Sequence, residues 1–150
     1  MSRRPYIIIL VVLLVAIAAT VGYMYYKKMP QVSKDETKEM LEGYKADLEE
    51  KYAVLNDTYE QLSVTKNTEG WQSFSSEWIP ELSGIRPADI DKRLPSDYEG
   101  KKNVLVSTQG ALISLWTEYN RDFLENDATN QERVKEMKSG IEDVFENLEI

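Results

Sequence analysis

From Tyr6 to Tyr26 the chain reads YIIILVVLLVAIAATVGYMYY without one charged residue, whereas beyond Lys28 apolar and charged positions alternate in helical steps of three and four to the end. The first pattern is apolar all round and the second is striped, so the two regions require different surroundings. As a helix the 21-residue run spans about 32 Å, close to a hydrocarbon core of ~30 Å. Tyr6 lies at one edge and Tyr23, Tyr25 and Tyr26 at the other, with Arg3, Arg4, Lys27 and Lys28 bracketing the run. Amphipathic rings and basic residues at both ends are the mark of a helix that crosses a bilayer and meets headgroups on each side. A core helix of this length and uniformity would need a larger protein around it. Two competing readings are a signal peptide cleaved after the small-x-small triplet Ala16-Ile17-Ala18 and a twin-arginine export signal around Arg3-Arg4. Apolar sequence runs on past Ala18, and Ile8 stands where the twin-arginine signal carries a polar residue, so both fit less well than an anchor. Arg3, Arg4 and the amino terminus nearly balance Lys27 and Lys28; a signal-anchor orientation, with the bulk of the chain outside the cytoplasm, is modestly favoured.

Met29-Pro30-Gln31-Val32 predicts a hinge, because proline lacks a backbone donor and disfavours helix in the residue before it. Ser33 and Glu36 then have the spacing of a capping box. From there leucine recurs every seventh residue at Leu41, Leu48, Leu55 and Leu62, with Tyr52 and Tyr59 in the neighbouring seam, predicting a helix to about Lys66. The alternate seam positions Lys38, Lys45 and Lys66 do not suit a parallel coiled-coil zipper, so the seam is read first as bundle core and second as a self-association surface. Asn67, Thr68 and Gly70 end the helix. Trp71, Phe74, Trp78, Ile79 and Leu82 form the next stripe, in which Pro80 is expected to kink or restart the helix. Pro87 suits a short helix through Asp91, and Leu94-Pro95 closes the connection.

Ser96 with Glu99 predicts another box, opening a helix with Leu105, Thr108, Leu112, Leu115, Tyr119 and Phe123 on one face. Gly110 weakens its middle and could admit close approach of a neighbouring helix. Thr129 and Glu132 repeat the capping signal before Val134, Met137, Ile141, Val144 and Leu148. No strand-like alternation or internal repeat occurs. The predicted fold is therefore all-α: a single N-terminal transmembrane helix, residues 1–28 with its basic flanks; a hinge, 29–32; and an acidic antiparallel bundle of about four helices, 33–150. A first helix longer than its partners predicts an overhang near the membrane. Leu41, Tyr44 and Leu48 would there be exposed apolar surface open to a partner.

Charge narrows the function. From Lys27 onward 16 basic residues face 26 acidic ones, a formal charge of −10, and such a surface repels phosphate backbones, so no nucleic-acid partner is expected. Cysteine and histidine are both absent, which removes disulfides, thiolate nucleophiles, the usual zinc ligand and the commonest general base near neutral pH. Oxygen ligands cluster between Asp89 and Gly100, but Arg93, Leu94 and Gly100 stand where a calcium loop needs a ligand, a glycine and a glutamate. Glu77 beside Trp78 and Glu118 beside Trp116 are the carboxylates to consider for acid–base work, although adjacency is unremarkable among so many acids. Trp71, Trp78 and Trp116 could line a pocket but at helical spacing are better read as core. Asn56-Asp57-Thr58 fits a glycosylation acceptor placed inside a helix, and is read as incidental. No catalytic residue, metal or cofactor is expected. The sequence predicts a non-enzymatic, single-pass interaction or scaffold module of a cell envelope, binding another protein or itself; the alternative is a sensor-like bundle that holds a small molecule in an aromatic pocket.

Overall fold

The computed structural model describes the backbone of residues 4–28, 30–124 and 131–150, with side chains from Val15 onward within those spans. Five helices account for most of it: α1 Arg4–Lys28, α2 Lys34–Thr65, α3 Thr68–Gly84, α4 Ser96–Leu124 and α5 Gln131–Asn147. Among the described residues no helix is long and apolar enough to cross a membrane. The expected span begins at Tyr6, and its first nine residues have side chains outside the described set.

The caps show why the helices begin and end where they do. Ser33 accepts from the Glu36 amide while the Glu36 carboxylate accepts from the Ser33 amide, the reciprocal box expected from the sequence. Lys66 adopts a left-handed conformation, φ 50°, and ends α2. One residue later the Asn67 side chain accepts from the Gly70 amide and starts α3. A β-carbon on Gly70 would lie 2.7 Å from the Asn67 amide nitrogen, so glycine keeps room for that cap. The expected box at Ser96 does not form. Ser96 is itself the first residue of α4, and the Glu99 carboxylate turns to Lys102 and the Tyr26 hydroxyl. Thr129, the third predicted cap, lies outside the described residues.

Side-chain pairs fix the helix directions. Lys34 with Asp97, Asn56 with Tyr119 and Tyr59 with Asp122 are each 63 positions apart, so α2 and α4 run parallel and in register. Between α3 and α4 the separation widens from Leu82–Gln109 to Ser75–Trp116 to Trp71–Asn120, which is the signature of an antiparallel pair. Lys45–Leu148 and Tyr52–Glu142 set α5 antiparallel to α2. The four helices thus alternate in direction as predicted. Two details differ from expectation. Pro80 interrupts neither α3 nor its stripe, since Trp78 and Leu82 on either side of it are both buried and hold the helix on its neighbours. Residues 87–92 form successive turns, closed by Ile90 N–H on Pro87 and Lys92 N–H on Asp89, in place of a short helix.

The core is one cluster. Leu41, Leu48, Leu55, Leu105, Leu112, Leu115, Trp71 and Leu82 have no exposed surface, and each leucine contributes about 1.5–3 kcal/mol by leaving water. Its distal end is aromatic: Tyr59 stacks on Tyr119 at 3.7 Å and Trp71 on Phe123 at 4.7 Å. At the other end, nearest α1, Arg93 gathers the chain. Its guanidinium donates to the Lys27 carbonyl, its own carbonyl accepts from Val32 N–H, and Gln31 forms an isolated bridge with it. A cation at the carbonyl end of α1 also suits the helix dipole.

Candidate functional site

The predicted surface seam turns out to be interior. Leu41, Tyr44 and Leu48 are buried, with Tyr44 only 3% exposed, so they do not form the expected open apolar surface. The overhang is absent because α4 starts level with α2 and the segment between α3 and α4 returns along the first turns of α2. Ile85 and Ile90 from that segment pack into the same cluster, as do Leu148 and Ile150 from the carboxyl end. The Tyr44 hydroxyl donates to Gln109 at 2.6 Å, and the buried environment raises its pKa above the ordinary tyrosine value.

The three tryptophans also serve the core. Trp71 and Trp78 are buried on α3 and Trp116 is half-buried on α4, each with its indole N–H satisfied, by Asn120, the Lys51 carbonyl and Ser75 respectively. None of the three lines the cavities described below. Of the two carboxylates considered for acid–base work, Glu77 is exposed, while the nearly buried Glu118 is held by Arg121 at 3.5 Å and Arg133 at 3.2 Å. Two guanidinium partners give that carboxylate a structural ion pair, not an open position facing a cavity. Asn56 is buried, with its amide donating to the Tyr52 carbonyl and accepting from Tyr119, which leaves it no freedom to carry a glycan. The acids of the 89–100 segment are taken up by cations: Asp89 by Lys92, Asp91 by Arg86, Asp97 by Lys34 and Glu99 by Lys102.

What remains is the outer surface, and it is uneven. The outward side of α2 carries Glu39, Glu42, Asp47, Glu49, Glu50, Asp57 and Glu60, all exposed. Lys38 and Lys45 reach Glu42 and Glu49 at 3.6 and 3.8 Å, and among the described residues the other five make no ion pair. The open groove between α2 and the end of α3, about 750 Å³, is rimmed by Glu39, Asp47, Glu50 and Glu81. By contrast, α4 has no charged residue over the fifteen positions from Asn103 to Thr117. Its inward face is core. Its outward face presents Asn103, Val106, Ser107, Gly110, Ile113, Ser114 and Thr117, which fall on one side of a helix over about 21 Å.

On that face Val106 is 48% and Ile113 38% exposed. A β-carbon on Gly110 would meet nothing within 4 Å, so among the described residues the close approach expected there has no partner. Beside the stripe, a groove of about 500 Å³ between α4 and α5 is lined by Val104, Ala111, Met137, Gly140, Ile141 and Val144 together with a few polar groups. A neutral, partly apolar face next to a mostly apolar groove, on a domain whose α2 is lined with carboxylates, has the composition of an interface centre, where charge is depleted. Sequence reasoning passed over it, although a charge gap of this length is visible in the sequence without any structure.

A third space, about 510 Å³ between α2 and α5, has the stacked Tyr59 and Tyr119 in its wall with Lys135, Lys138 and Glu142 around them. Burial pushes the Tyr119 phenol well above the ordinary tyrosine range, and Tyr59 and Glu60 add to that shift. The same cause, reinforced by its bond to Glu142, raises Tyr52. These hydroxyls are hydrogen-bond donors held neutral, unsuited to giving up a proton near neutral pH. Comparison with family models, curated proteins and solved structures finds no match to this chain.

Proposed function

We propose that this chain is a membrane-tethered, non-enzymatic helical module that works by binding protein through the uncharged face of α4. The single observation carrying the binding part is the fifteen-position gap in charge on α4, with Val106 and Ile113 open to solvent, set against the row of carboxylates on the outward side of α2. The tether rests on the run from Tyr6 to Tyr26, which lies within a continuous helix, α1, and has basic residues on both flanks. Anchoring confines the module to two dimensions and raises the effective concentration of partners in the same bilayer. In this reading the bundle lies outside the cytoplasm, the signal-anchor orientation.

Photo-crosslinking from position 113 in intact membranes tests the proposal. The expected result is a discrete protein adduct in a fraction that resists alkaline carbonate washing, abolished when membranes are dissolved in denaturing detergent. Chain released by carbonate, or an absence of adducts from position 113, would defeat it. A second reading, a small anionic aromatic ligand between α2 and α5, draws on the stacked tyrosines and the two lysines beside them. A thermal-shift screen separates the two, because only the second gives ligand-dependent stabilisation.

A further inference from the structure

The neutral stripe of α4 points to its own occupant: we infer that it pairs with the same stripe of a second copy, about a two-fold axis along the membrane normal. This rests on the protein-binding reading above and names the partner.

Electrostatics selects self-pairing. In a two-fold contact residues close to the axis meet their own counterparts, so any carboxylate there faces a carboxylate. Along α2 that would oppose Glu39, Asp47 and Glu50 with themselves, and among the described residues none of them is in an ion pair. Along α4 nothing charged is opposed between Asn103 and Thr117. A neutral stripe is also poorly suited to choosing an unrelated partner, since complementary charge is what sets orientation and rejects wrong partners. For a chain of −10 beyond its apolar run it is a long surface on which two copies can approach without opposing carboxylates.

Direction follows from how the bundle is joined to α1. The Tyr26 hydroxyl reaches Glu99 at 3.2 Å and Lys34 reaches Asp97 at 2.7 Å, so α4 starts at the α1 end and runs away from it. Two copies in one bilayer therefore carry α4 in the same sense, and a two-fold axis along the membrane normal sets residue 103 opposite 103, 110 opposite 110 and 117 opposite 117. The relief fits such a meeting. Val106 and Ile113 project on either side of Gly110, whose missing side chain leaves space for a neighbouring helix.

Because the chain lacks cysteine, single-cysteine variants of the full chain in lipid vesicles each report one position. Asn103→Cys, Ser114→Cys and Thr117→Cys should each give, under mild oxidation, a disulfide-linked species of twice the chain mass; Asp47→Cys should stay single. Ser107→Glu with Ser114→Glu, both exposed, should weaken pairing at least tenfold on dilution with lipid while leaving the helical circular dichroism unchanged. Crosslinking at 47 equal to that at 114, or at 114 without 103 and 117, would overturn the arrangement. Single chains throughout, combined with a different protein captured from position 113 in cell membranes, would overturn self-pairing and leave the protein-binding reading standing. With no capture at 113 either, both fall.

Discussion

The two long helices α2 and α4 are alike on the inside and opposite on the outside. Both supply fully buried leucines to one core, Leu41, Leu48 and Leu55 from one and Leu105, Leu112 and Leu115 from the other. They lie parallel with a constant offset of 63 residues. Yet the outward side of α2 is a row of carboxylates, and that of α4 is neutral from Asn103 to Thr117. The inner faces answer to the same folding constraint. The outer faces do not, and a solvated helix gains nothing from losing all its charge. On the binding reading proposed above, the difference reflects what α4 meets.

The largest expected effect tests the claim that the inner faces are equivalent. Leu41→Ala, Leu48→Ala and Leu112→Ala should each destabilise the bundle by about 2–5 kcal/mol in chemical denaturation, since each removes a side chain with no exposed surface. None should alter self-association at protein concentrations where the fold is intact. A small cost at Leu41 alone would mean that the first turns of α2 are loosely covered, and would restore that end as a binding surface.

The next effect concerns where α2 meets its neighbours. Tyr44, Tyr52 and Tyr119 all have phenols raised above their ordinary value, in each case chiefly by burial, and the Glu142 carboxylate adds to the shift at Tyr52. Above about pH 10 the unfolded chain loses phenolic protons that the folded chain keeps, so stability falls as pH rises and is fully present below that pH. The denaturant midpoint should accordingly be flat from pH 7 to 9 and drop beyond about pH 10. Tyr52→Phe should blunt the drop. The outer face of α4 holds no titratable group between Asn103 and Thr117, so the Ser107→Glu, Ser114→Glu variant should show the same alkaline curve as the parent.

How far the sequence disclosed all this can be argued from particular residues. The stripes of α2, α4 and α5 were legible because burial repeats every three to four positions, and Ser33 with Glu36 announced its cap through local hydrogen bonding; Asn67 and Gly70 mark the end of α2 in sequence but not the cap that Asn67 gives α3. The burial of Leu41 was not, because Ile85, Ile90, Leu148 and Ile150, which join the same core cluster, are remote in sequence and lie outside the regular helices. Nor was the fate of Glu99, whose spacing from Ser96 suggests a cap while Lys102 and Tyr26 compete for it in space. The neutral face of α4 was legible and overlooked. Helical periodicity draws attention to where apolar residues recur, and this signal is a gap in charge.

The smallest expected effect contrasts two glycines. Gly43 on α2 and Gly110 on α4 are both exposed within long helices, and a β-carbon on either meets nothing within 4 Å. In the isolated fold the two are equivalent: Gly→Ala should stabilise by up to about 1 kcal/mol at each, from helix propensity alone. Their surroundings differ, since Gly43 stands four residues from both Glu39 and Asp47, while Gly110 stands four residues from both Val106 and Ser114. If α4 meets its copy across Gly110, the added methyl at 110 must sit between two closely approaching helices, whereas at 43 it points into water. Gly43→Ala should therefore raise stability and leave pairing untouched. Gly110→Ala should raise the stability of the single chain by a similar amount and weaken pairing in vesicles. Identical behaviour of the two variants in both measurements would mean that the neutral face is as solvated as the acidic one, and the contrast between the helices would carry no function.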